Sequence, residues 1–306
     1  MRIVMMGTPD FAVPCLERLI ADGHTVPLVV TQADKPKGRG HHMTPPPMKV
    51  CALEHGIEVF QPTKIKDEEA LATIRAAQPE LIVVVAYGKI LPKALLEMPT
   101  YGCINVHGSL LPQYRGAAPI QWAVLDGQKK TGITTMWMNE GLDTGDMLMK
   151  SEREIPFDMT AGELFDALCQ DGAQLLSKTI DALQKGELKP EKQDDSKATY
   201  ASMLTKEMSA IDWTKPALTL HNQVRGLNPW PSAVCRCQGK TMKVHAARPA
   251  GETDAAPGTV VSVSPLTVAC GEGTALELIE VQYEGGKRMP SADFLRGHPM
   301  KVGEPL

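Results

Sequence analysis

Short apolar runs alternate with amphipathic stretches through the first part of the chain. Ile3–Met6, Val26–Thr31, Ile57–Phe60, Leu81–Val85 and Cys103–Val106 have strand character, and helical periodicity fills the gaps near residues 9–21, 46–55, 67–77 and 117–126. Leu81 to Ala86 is apolar on both faces, the pattern of a parallel strand covered by helices on each side. The alternation predicts an α/β fold: a doubly wound, mostly parallel, Rossmann-like sheet with its site at the carboxyl ends of the strands. Thr131–Met138 alternates as a further strand, and another runs near Met147–Ile155. A long helix is expected from about Thr160 to Lys185, capped by Asp158 or Thr160 and stopped at Gly186.

The texture then changes. Residues 190–209 are polar and poorly periodic, as a linker would be. Beyond them Thr241–Ala246, Gly258–Ser264, Leu266–Cys270 and Ala275–Tyr283 are short strands separated by Gly and Pro turns, which predicts a small OB-like β-barrel. With 306 residues two domains are expected. The division is a catalytic domain over 1–189, the linker, and a C-terminal domain over 210–306.

Composition narrows the function classes. A net charge of −4 carries no global nucleic-acid signature, so any RNA contact must be local. The seven cysteines are scattered and odd in number, without the paired spacing of a zinc site, which points to reduced thiols and no metal. The N-terminus lacks the apolar core of a signal peptide, and no apolar run approaches the roughly 18 residues of a membrane span. A cytoplasmic protein without membrane contact is expected.

The chemistry concentrates in Cys103–Pro112. Side chains alternate along a strand, so Asn105 and His107 project to one side while Val106 points away. An amide donor beside an imidazole at a strand end suits acyl chemistry on a carbonyl, and Asp143 in the Gly141–Asp146 loop offers a carboxylate to orient the ring. Gly7-Thr8-Pro9-Asp10-Phe11 joins the first strand to the first helix. Thr8 is expected to cap that helix and Pro9 to fit its first turn, while GxGxxG is absent, against a dinucleotide enzyme. The connection over residues 33–47 is long for a compact domain; its Lys35, Lys37 and Arg39 suit a basic arm gripping phosphates. His41 and His42 lack nearby acidic or thiol partners for a metal. Asn228-Pro229-Trp230-Pro231 reads as a rigid packing corner rather than a stacking platform.

These segments, with Gly38-Arg39-Gly40, Val85–Gly88, Ile90-Leu91-Pro92, Arg115–Ile120 and Ile211-Asp212-Trp213, resemble the methionyl-tRNA formyltransferase family along essentially the whole chain. The resemblance implies transfer of a formyl group from 10-formyltetrahydrofolate to the α-amine of methionyl-initiator tRNA, for translation initiation, with tetrahydrofolate released. It implies Asn105, His107 and Asp143 as catalytic residues and Ser109, Leu110, Leu111 and Pro112 as the folate-contacting turn. Tyr87, Ile90, Leu91 and Leu142 would flank the pterin, and Lys35, Lys37 and Arg39 would meet the tRNA. A monomer with no metal is expected. The neutral amine would attack the formyl carbon, with Asn105 and His107 stabilising the tetrahedral oxyanion and no acyl-enzyme formed. The alternative, a folate-dependent transferase or hydrolase acting on a small acceptor or water, shares the catalytic core but leaves residues 190–306 and the 33–47 connection unexplained.

Overall fold

In the computed structural model, which describes residues 1–37 and 42–306, the early apolar runs form one sheet. The strands are β1 (Arg2–Gly7), β2 (Thr25–Val30), a hairpin of β3 (Lys35–Lys37) and β4 (His42–Thr44), then β5 (Glu58–Phe60), β6 (Leu81–Val85) and β7 (Cys103–His107). Two-residue β8 (Arg115–Gly116) precedes β9 (Lys130–Trp137), β10 (Met147–Glu154) and β11 (Tyr200–Ala201). Between them lie α1 (Val13–Ala21), α2 (Pro47–Glu54), α3 (Glu68–Ala76), α4 (Lys93–Leu96), α5 (Pro119–Leu125) and α6 (Ala161–Lys185). The seven-stranded order is β10-β9-β7-β6-β1-β2-β5. The chain winds outward from β1 through β2 to β5, then returns to the other side through β6 and β7, all parallel. Strand β9 closes on β7 antiparallel, so the sheet is mostly parallel, as expected. The reversal opens a crevice at the carboxyl ends of β1 and β6.

Alternation decides which residues fill the layers. Val4 and Met6 of β1, Leu28 and Val30 of β2, and Ile82 and Val84 of β6 share one face and pack with Leu71 and Ile74 of α3 and with Tyr87, Leu91 and Leu95. Thr8 does not cap the first helix. A short 3₁₀ turn, Asp10–Ala12, intervenes without a side-chain cap, and the Thr8 hydroxyl accepts from Gln32 N at 3.3 Å and donates to Tyr87 O at 3.4 Å. Tertiary partners at the strand ends outcompete the local capping bond. The start of α6 follows the sequence pattern: Thr160 and Glu163 exchange hydrogen bonds as a capping box, and Gly186 ends the helix at φ +68°.

Within the segment expected to link the domains, Gln193 is buried, and β11 pairs in parallel with β8. By contact density the chain divides into two units. The first comprises Met1–Pro119, Thr131–Arg153 and Phe165–Ala201, and the second Ile120–Lys130, Glu154–Leu164 and Ser202–Leu306.

The second unit adds β12 (Ala233–Cys237), β13 (Lys240–Glu252), β14 (Val260–Val263), β15 (Leu266–Ala269), β16 (Thr274–Tyr283) and β17 (Arg288–Pro290), with α7 (Ala217–Gly226) and α8 (Ser291–Gly297). Its antiparallel sheet runs β12-β13-β16-β15-β14, with β17 also on β16. Register shifts along β13 bend the sheet, while its two end strands are not paired with each other. Leu220 and Val224 of α7 and Phe294 of α8 fill its core with Met242, Val244, Leu276 and Leu278. The Asn228–Pro231 segment is tied as a corner, with Asn228 Nδ2 donating to His245 O at 2.9 Å and Ser232 Oγ to Pro229 O at 2.9 Å. Trp230 stays exposed at its tip.

The central strand makes a direct test of the first core. Ile82 is fully buried between β1 and β7, so Ile82→Ala should cost about 2–5 kcal/mol in urea unfolding; a loss below about 1 kcal/mol would place the core elsewhere.

Candidate active site

Strand β7 presents Asn105 and His107 on one face, both buried. Asn105 sits between Val84 of β6 and Met136 of β9, and His107 lies opposite Thr134. The third group comes from the turn between β9 and β10, which brings Asp143 to them. One Asp143 carboxylate oxygen, Oδ2, accepts from the Gly116 backbone N–H at 2.8 Å and lies 3.7 Å from His107 Nδ1. The other, Oδ1, lies 3.5 Å from Asn105 Nδ2. The three expected catalytic residues are therefore brought together.

Their spacing has a chemical reading. Good hydrogen bonds to oxygen fall near 2.7–3.2 Å, so Asp143 faces the Asn105 amide and the His107 ring without a short bond to either. His107 Nε2 lies 2.8 Å from Tyr114 O. A carbonyl only accepts, so that nitrogen carries a hydrogen, and Nδ1 is the ring atom left facing the carboxylate. This arrangement sets an amide N–H and a ring nitrogen beside a fixed negative charge, a set that can stabilise charge on a carbonyl oxygen and take up a proton.

The loop carrying Asp143 is shaped by close packing. At Gly145 a Cβ would stand 1.7 Å from Trp137 O, so only glycine fits the return into β10. Asp143 itself holds a left-handed backbone at φ +52°, and Asn139 Oδ1 gathers Gly141 N and Thr144 Oγ1 at 3.0 and 2.9 Å.

The remaining expected residues divide by burial. Ser109 is buried and donates to Gln113 O at 2.6 Å, and Leu111 packs with Met136 and Met147, so both shape the turn that Leu110 and Pro112 complete half-buried. Tyr87 and Leu91 belong to the core beneath the sheet. Burial pushes the Tyr87 phenol up to about 12, and its hydroxyl has no hydrogen-bond partner among the described residues. Ile90 is 80% and Leu142 56% exposed, leaving bare apolar surface on their two loops. Lys35 is exposed and donates to Gln32 Oε1 at 3.0 Å, Lys37 ends β3, and Arg39 and His41 lie outside the described residues. The base of that connection is tied by Lys49 Nζ to Asp34 at 2.9 Å. Hydrogen bonds from Gln61 and Lys49 hold the Asp34 carboxyl below the usual carboxylate range.

Several residues with no role assigned from the sequence enter the site's frame. Gly116 supplies the shortest bond to the Asp143 carboxylate, Tyr114 fixes His107, and Thr134 Oγ1 accepts from Leu111 N at 3.1 Å while donating to Ser109 O at 2.7 Å. These contacts run mostly through backbone groups, which leave no residue-type signature. Away from this site, Glu17, Cys51 and His55 bring three metal-type donor atoms within 4.8 Å of one another. Burial, then the Glu17 and Glu54 charges, push the Cys51 thiol up, which disfavours the thiolate a metal requires. All seven cysteines are unpaired and buried. No helix among the described residues is long and apolar enough to cross a membrane.

Comparison with known proteins defines the class first. Residues 1–180 match the formyl transferase family, and residues 203–299 match the formyl transferase C-terminal domain. The chain is 52% identical over 308 residues to the methionyl-tRNA formyltransferase of Bacillus velezensis, covering all of this chain and 97% of that protein. It is 51% identical over 305 residues to that of Citrifermentans bemidjiense, covering 99% and 95%. The chain belongs to the methionyl-tRNA formyltransferase family, and it is a formyl-transferring enzyme. Among solved structures, an N-formyltransferase from Helicobacter canadensis in complex with folinic acid and dTDP-3-aminofucose shares the fold at TM-score 0.68 and 17% identity, over 92% of this chain and 99% of that one. The methionyl-tRNA formyltransferase from Clostridium thermocellum does so at TM-score 0.57 and 19% identity, over 81% and 93%.

Because the Asp143 turn closes only around a missing side chain, Gly145→Ala should lower formyl transfer by ~10²-fold through misplacement of Asp143 and also lower the thermal unfolding midpoint, since the added Cβ would meet the Trp137 backbone carbonyl. Wild-type turnover in that variant would mean the loop's position is not critical.

Proposed function

We propose that this enzyme moves the formyl group of 10-formyltetrahydrofolate directly onto the α-amino group of methionyl-initiator tRNA, in the cytoplasm and in support of translation initiation. The observation that carries the reading is the Asp143 carboxylate pinned by Gly116 N–H beside Asn105 Nδ2 and His107 Nδ1. The surroundings fit a folate donor. Exposed Ile90 and Leu142 offer apolar surface for a flat heteroaromatic ring. Ser109 to Pro112 give the turn that meets the folate.

In this reaction Asn105 Nδ2 donates to the formyl oxygen as negative charge grows on it, with His107 as the second polar group on the same face. The new bond joins the α-nitrogen to the formyl carbon, and the bond from that carbon to the folate nitrogen breaks. Asp143 accepts the proton shed by the amine, directly or through water, and one proton reaches the leaving nitrogen, so charge balances without an acyl-enzyme. An α-amine with a pKa near ~8 is partly neutral at pH 7, so no strong base is required. Lys35, Lys37 and Arg39 grip the acceptor-stem phosphates, and the C-terminal unit supports the rest of the tRNA.

The reading is tested by supplying 10-formyltetrahydrofolate with initiator methionyl-tRNA, glycinamide ribonucleotide and water as competing acceptors. Formylation of the tRNA alone supports it; turnover only with the small acceptor or water would overturn the substrate. Asn105→Ala should reduce kcat by ~10²–10³-fold while folate still binds, and unchanged turnover would remove Asn105 from the mechanism. Arg39→Ala should weaken tRNA binding and flatten its dependence on salt by roughly one counterion, without changing folate affinity.

A further inference from the structure

Asp143 adopts a left-handed backbone, which is uncommon for a non-glycine residue although an aspartate tolerates it. What holds it comes from the polar stretch after α6. The Gln193 side-chain amide donates one hydrogen to Asp143 O at 2.7 Å and the other to Gly145 O at 2.8 Å. Its Oε1 accepts from Arg115 Nε at 3.1 Å and Nη2 at 2.8 Å. That set of partners defines the amide's orientation, because a flipped amide would set its oxygen against two carbonyls and its NH₂ against the guanidinium.

Arg115 is in turn fixed. It is only 2% exposed, its Nη2 donates to Asp195 Oδ1 at 2.7 Å, and its backbone N–H donates to Thr199 O at 2.8 Å. The next residue, Gly116, is the one whose N–H holds the Asp143 carboxylate. Gly116 sits at φ +114° against Ala201, where a Cβ would meet the Ala201 carbonyl at 2.7 Å. The paired strands β8 and β11 therefore fix Asp143 twice, by its carboxylate through Gly116 and by its backbone through Arg115 and Gln193. Buried as they are, Arg115 and Gln193 offer almost no surface to a substrate.

We propose that Gln193, anchored by Arg115, is a positioning residue for formyl transfer, acting on the reaction through the placement of Asp143. The proposal rests on the role given to Asp143 above. Gln193→Glu tests it, because a carboxylate keeps the partner for Arg115 but removes both donors to the loop. Gln193→Met, of similar shape, removes the donors without adding charge.

Both variants, made in the full chain, are assayed with each substrate saturating in turn. We expect kcat to fall ~10²-fold, as for a displaced catalytic group, with both KM values within ~2-fold, the signature of an effect confined to the transition state. In an Asp143→Asn background, Gln193→Glu should add less than ~3-fold, because residues acting as a unit are non-additive. A rise in KM with kcat unchanged, no effect at all, or a full multiplicative loss in the Asp143→Asn background would overturn the proposal. Loss of the folded state in both variants would do so too, by making Gln193 a structural brace. An Asp143→Asn protein with normal kcat would refute the role of Asp143 itself, whereas a slow Asp143→Asn with a silent Gln193→Glu would refute only the positioning.

Discussion

The hydrogen bond from Gly116 N–H to Asp143 Oδ2 is the contact on which the site depends. A carboxylate on a nine-residue connection between β9 and β10 has no reason of its own to face β7. One charge-assisted bond from a backbone donor, of the stronger kind, sets its oxygens between an amide and an imidazole. The contacts to those two groups are longer, at 3.5 and 3.7 Å, so the carboxylate engages neither in a short bond. A tighter triad would be better satisfied at rest and less able to respond to charge that develops elsewhere.

The sheet supplies the other half of that geometry. β7 is flanked by β6 on one side and β9 on the other, so its backbone is bonded along both edges and the direction of Asn105 and His107 is set by register. A one-residue slip would turn both side chains to the opposite face. The carbonyl of Tyr114 then selects the ring nitrogen of His107 that remains available. Rigid strands thus carry the amide and the imidazole, and a clamped turn carries the carboxylate, a division that keeps the distances between them from drifting.

How far this was legible from residues alone follows from where the stabilising partners lie. The strands β1, β2, β6 and β7 announce themselves because burial on both faces demands unbroken apolar runs. Asn105 and His107 stand out as polar interruptions at the end of such a run, and Asp143 as an acid between two glycines. Thr160, one of the two caps expected for α6, takes that place because its partner Glu163 is local. Thr8 has the same local appearance, yet its hydroxyl goes to Gln32 and Tyr87, brought near only by the sheet. Gln193 lies beyond any such reading: its carbonyl partners are 50 and 48 residues away, and a glutamine that serves backbone oxygens leaves no periodicity in a polar stretch. The comparisons fix the family, while the assignment of roles to single residues rests on geometry and chemistry.

We propose that formyl transfer takes place at Asn105, His107 and Asp143. The decisive experiment is a crystal structure with a stable analogue of the formyl donor. The formyl oxygen should lie within about 2.7–3.1 Å of Asn105 Nδ2, with the Asp143 carboxylate still on Gly116 N–H. A donor bound with its formyl group out of reach of all three residues would contradict it.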